Sequence, residues 1–164
     1  MSFGRVFKTA LFAALCVMVV VPSALYSTTM IEFTNQDLAV DSDIILQGKV
    51  TSMWTEFGAN GRYIYTYGTV AVDRVVKGYI EGDQYTIKIP GGTIGSSMMI
   101  VEGTAEFSVG DELLLFLVDD ESFESNVLGW HQGRFNIVDG VVVQNGETVN
   151  NFIHEIESLI IDVR

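Results

Sequence analysis

Six apolar residues in a row, Leu113 to Val118 (LLLFLV), constrain this chain more than any other stretch. Glu112 precedes them and Asp119 and Asp120 follow, so the run is too short for a core helix and has the length of a strand. A strand without polar alternation must be buried on both faces. The fold therefore needs apolar cover on either side of this strand.

The sheet is legible upstream. Ile44 to Trp54 reads as a first long strand, and Tyr63 to Val76 as a second and longest one. Between them Glu56 to Arg62 is a loop with Asn60-Gly61 as its tight-turn signal. The second strand separates by alternation into Ile64, Thr66, Gly68, Val70 and Val72 on one face. Tyr63, Tyr65, Tyr67, Thr69 and Ala71 occupy the other. Gly68 in mid-strand predicts a bulge or bend. Tyr85 to Ile89 and Ser97 to Val101 follow as shorter strands. After the Leu113 run come Val127 to Trp130, Arg134 to Val138 and Val141 to Gln144, with Gly133 and Asp139-Gly140 as breaks. Two helices flank this β region. Thr34 to Ser42 is short, with Thr34 as cap and Asp37 three residues on. The C-terminal one begins after Thr148 and sets Val149, Phe152, Ile153, Ile156, Leu159 and Ile160 on one stripe, opposite Glu155, Glu157 and Asp162. That stripe must cover something, and the tyrosine face of the second strand is one candidate.

The N-terminus has the layout of a secretory signal. Arg5 and Lys8 precede an apolar run from Thr9 to Val21, then Pro22, Ser23 and Ala24. These thirteen residues, all apolar but Thr9, fall short of the roughly 20 of a membrane span. Residues 1–27 are thus expected to be a signal peptide, or an N-terminal anchor if uncleaved, and 28–164 a single domain. The protein is expected to be secreted or held in the cell envelope, touching a membrane only through that segment. The single cysteine, Cys16, lies inside the leader, which leaves the domain without a disulfide or thiol. A formal net charge of −12 excludes a nucleic-acid surface, because phosphate contacts need clustered Lys and Arg.

The segments DLAVDSDIILQGKVTS, YIYTYGTVAVDRVVKG, IPGGTIG, FSVGDELLLFLV and LGWHQGRFNI together resemble a group of secreted bacterial and archaeal β-domains. Some of those sit beside secreted metalloproteases. The strand order is also similar, more loosely, to netrin-like domains, the OB-type barrels of tissue inhibitors of metalloproteases. Those inhibitors work through an N-terminal cysteine and are stapled by disulfides, neither of which this domain has. The resemblance implies an all-β fold: a small OB-like or netrin-like barrel with a short N-terminal helix and a C-terminal amphipathic helix.

No sequence motif of an enzyme stands out. IPGGTIG lacks the ending of a phosphate loop, and His131 and His154 have neither a metal-ligand spacing nor a G-x-S-x-G serine to serve. The candidate binding residues are Tyr63, Tyr65 and Tyr67, a ladder about 13 Å long by strand rise, with Trp54, Trp130 and His131. Tyrosine and tryptophan at exposed alternate positions suit a protein partner, and less well a sugar. The expected role is an extracytoplasmic, non-catalytic binding domain without a cofactor. Two alternatives stay open: a secreted hydrolase using an acidic pair, and a domain stabilised by calcium on Asp119, Asp120, Glu121 and Glu124.

Overall fold

A computed structural model describes residues 32–119 and 125–162. The leader expected over 1–27, Cys16, and the acids Asp120, Glu121 and Glu124 lie outside the described residues. The described residues open with helix α1 (Asn35–Asp41) and continue through β1 (Ile44–Phe57), β2 (Ile64–Lys77) and β3 (Gln84–Pro90). A small hairpin, β4 (Gly92–Ile94) and β5 (Ser97–Met99), follows. Then come β6 (Glu112–Leu117), β7 (Arg134–Val138), β8 (Val141–Val142) and helix α2 (Val149–Asp162). Six strands form one antiparallel sheet in the order β3-β2-β1-β6-β7-β8.

The Leu113 run does what its composition requires. Leu113, Leu115 and Leu117 enter one core with Leu46, Val50, Val70 and Ile87. Leu114 and Phe116 enter a second with Ile45, Phe135, Phe152 and Ile156. Residues 113–117 are all fully buried. The second core is the helical one. Leu38 and Ala39 of α1 and the stripe of α2 cover β6 and β7, and Phe116, Phe135 and Phe152 pack in series as tilted rings with centroids 5.5 and 5.0 Å apart. The stripe of α2 therefore packs here and not on the tyrosine face.

Local signals are met where they were read. Thr34 and Asp37 form a reciprocal capping box on α1, and the Thr148 hydroxyl accepts the Asn151 N–H at the start of α2. Asp139 and Gly140 both take positive φ, 51° and 76°, as a two-residue turn between antiparallel strands needs. The second core reaches α1 through an unexpected residue. Lys77, at the end of β2, extends its ammonium to the carbonyls of Ala39, Val40 and Ser42, and so caps a helix whose own last turn has no base.

Several expectations need correction. The bulge is not at Gly68, which pairs regularly with Met53 and Ile87. The register steps instead in β1, from Val50 to Ser52, which leaves Thr51 extra, and twice near the end of β2, where Asp73 and Val76 are the extra residues. Gly68 instead allows the Ile87 side chain to approach within 3.0 Å of where a Cβ would stand. Val127 to Trp130 is not a strand but one bridge, Val127 to Leu117, followed by consecutive turns over 128–133. IPGGTIG ends β3, bends at Gly91-Gly92 and starts the β4–β5 hairpin, so it does serve as a connection between strands. Gly92 has φ +133°, and a Cβ there would lie 2.5 Å from Thr66 Oγ1.

The described residues form a mostly β fold with two helices, and its strand ladder is open. The edge strands β3 and β8 do not pair, and β3 and β6 are not ladder neighbours either. Asn126 lies between them. Its main chain accepts from Val118 N–H and donates to Lys88 O, while its side chain accepts from Lys88 N–H and donates to Thr86 O.

Candidate functional site

The outward face of β1, β2 and β3 is built by the Thr51 bulge. Before it, Leu46 and Val50 point into the core. One extra residue reverses the parity, so Met53 turns inward and Trp54 outward. Trp54 then stands opposite Tyr67, and Glu56 opposite Tyr65. On the other side Lys88 pairs with Tyr67 and Pro90 with Tyr65.

These side chains engage one another. The Trp54 and Tyr67 rings stack with centroids 5.5 Å apart and 17° between planes. The Trp54 indole N–H donates to Glu56 Oε1 at 2.9 Å. Lys88 Nζ lies 4.7 Å above the Tyr65 ring, and the Arg62 guanidinium 6.0 Å from that of Tyr63. Trp54 and Tyr63 remain 38% and 41% exposed, enough to meet a partner, while Tyr65 and Tyr67 are half-buried. Tyr63 precedes β2, in the turn where Gly58 N–H donates to its carbonyl. Sequence reading found the tyrosines and Trp54 but missed Lys88 and Glu56. Lys88 was visible in principle, since it alternates with Ile87 and Ile89.

Trp130 and His131 belong to a different place. They lie in the turns over 128–133, and no described contact joins them to the tyrosines. His131 N–H donates to Gly103 O at 3.2 Å, and its ring Nδ1 lies 3.2 Å from the same oxygen. His131 thus ties down the segment leading to β6. Trp130 is half-exposed, packs into neither core, and has φ +63° directly after Gly129 at +61°. A left-handed backbone costs an L-residue about 1–2 kcal/mol. Trp130→Gly is accordingly expected to be more stable than Trp130→Ala by about 1 kcal/mol in urea unfolding, because both lose the indole and only alanine keeps the backbone cost.

Two titratable groups are displaced. Hydrogen bonds from the Thr34 hydroxyl and N–H hold Asp37 below the usual carboxylate range. Burial pushes the Tyr85 phenol above its ordinary value of 10.0; the charges of Asp119 and Asp43 add to this, and a bond with Asn126 opposes it. A phenol raised in the folded state contributes stability that is complete below the unfolded pKa and is lost as pH rises through the folded one. Denaturant midpoints are expected to fall above about pH 10, and Tyr85→Phe to flatten that limb. Equal slopes in the two proteins would contradict it.

Among the described residues no group of three or more His, Cys, Asp or Glu side chains gathers to hold a metal ion, and no helix is long and apolar enough to cross a membrane. Comparison of the chain with protein-family models, with curated proteins and with solved structures returned no match.

Proposed function

We propose that this protein is an extracytoplasmic, non-catalytic binding module that docks a protein partner on the outer face of β1, β2 and β3. The observation that carries this reading is the Trp54–Tyr67 stack with Lys88 over Tyr65, on side chains that belong to neither hydrophobic core. Such a surface offers large, stiff, amphipathic side chains at low entropic cost, the composition that dominates recognition patches. The Glu56 carboxylate at the indole N–H and the Lys88 ammonium give it directional polar groups of both signs.

The signal-like N-terminus supports an extracytoplasmic setting, and the resemblance to secreted β-domains found beside proteases favours a protease-related partner over a glycan. In that reading the domain is an OB-like or netrin-like barrel, with Asn126 standing where a further β3–β6 pairing would close it.

The test uses the purified full-length chain, immobilised and exposed to the secreted and envelope fractions of its source. A saturable partner is expected to bind the wild type and be lost from a Trp54→Ser/Tyr67→Ser variant with an unchanged far-UV spectrum. The expected loss is about 2 kcal/mol or more, the scale of an interface hot spot. Equal retention by the variant would overturn this site.

A further inference from the structure

The inner side of the same strands ends in an open mouth of about 440 Å³. Met53, Ile89 and Ala105 form its floor, and Pro90, Val101 and Phe107 its walls. The floor is core-like, with Ile89 and Ala105 only 7% and 2% exposed. Two separate pieces of chain frame it. The β4–β5 hairpin is seated firmly, because Thr55 Oγ1 donates to Thr93 O and Thr66 Oγ1 to Gly91 O. Opposite it runs residues 100–110, a strap without regular structure, held by the His131 bond to Gly103 O. On the rim Ile100 stands 79% exposed.

The one charged side chain among the described residues that line this mouth is an acid, Glu106. Between Lys88 and Arg134 the sequence has no lysine or arginine, yet the strap carries the exposed acids Glu102 and Glu106. Arg134 itself is held by Asp111 at 3.1 Å and lies 5.2 Å from the Phe107 ring. We propose that the mouth receives one large apolar side chain presented by a basic segment of a protein partner. The proposal rests on the partner reading above but uses a second surface. An apolar floor inside an acidic rim selects an anchor flanked by Lys or Arg, since the rim raises the encounter rate while the floor holds the anchor. A free lipid chain fits less well: the mouth is open on one side, and much of the chain would stay wet. A side chain on a polypeptide leaves only its backbone outside.

The test is fluorescence anisotropy with a short labelled peptide, one central phenylalanine between lysines, titrated with the full-length protein. Affinity is expected in roughly the micromolar range. It should weaken about tenfold or more with Phe→Ala in the peptide, and likewise with Glu102→Lys/Glu106→Lys in the protein. Both glutamates are exposed, so the protein variant keeps its fold. The Trp54→Ser/Tyr67→Ser variant should bind the peptide as wild type does. Absence of saturable binding overturns the proposal, as does equal affinity of the Phe→Ala peptide or of the Glu102/Glu106 variant. Binding lost only with Trp54 and Tyr67 would also overturn it, while supporting the sheet-face site.

Discussion

Replacing Phe116 with alanine is expected to destabilise the protein by about 3–5 kcal/mol, the range for a fully buried phenylalanine. Three features place it there. The side chain has 0% exposure, it opens the Phe116–Phe135–Phe152 series from the sheet side, and it belongs to the core where both helices meet the sheet. The cavity cannot collapse easily, because β6 is held on both edges, by β1 and by β7. Phe116→Leu should recover most of the loss, since it keeps apolar contact and leaves a smaller void. Urea unfolding at constant m-value is the measurement. A loss below about 1 kcal/mol for Phe116→Ala would mean that the helices do not rely on this strand for their packing.

The second large effect is expected at Lys77. Substitution by methionine keeps the apolar stem and removes the donors to Ala39 O, Val40 O and Ser42 O. Hydrogen bonds from a charged group contribute about 1.5–3 kcal/mol, and part-buried carbonyls left without donors add to the cost. A loss of about 2–3 kcal/mol is expected. It should be concentrated in α1, so amide exchange there, at Leu38 and Ser42 above all, should accelerate before the sheet does. Arginine should not rescue it, because three carbonyls converging on one point suit a compact ammonium better than a planar fork. Uniform acceleration across the whole sheet would instead show that Lys77 acts on global stability and not as a helix cap.

What was legible in the sequence was local. The Leu113 run declared its own two-sided burial, Thr34 and Asp37 their capping box, and Asp139-Gly140 its turn, since each depends on neighbours a few residues away. What escaped depends on distant partners. Nothing near Thr51 marks it as an extra residue, because a bulge is fixed by how β1 meets β2. Its effect on Trp54 was correspondingly invisible, although Trp54 itself drew attention. Lys77 reads as an unremarkable strand end until α1, 35 or more positions earlier, folds against it. Trp130 looked like a strand residue because an aromatic between glycines favours one. The left-handed turn there follows instead from the Gly129 backbone and the tie at His131.

The placement of Asn126 bears on solubility. An outer strand presents free N–H and C=O groups, a template onto which another chain can add itself. On β3 the main-chain groups of Lys88 and the carbonyl of Thr86 are already taken, partly by a side-chain amide that imitates a neighbouring strand. One asparagine therefore shields the middle of an otherwise exposed edge. Losing it would do less harm to the fold than to the protein's ability to stay apart from its own copies at high concentration.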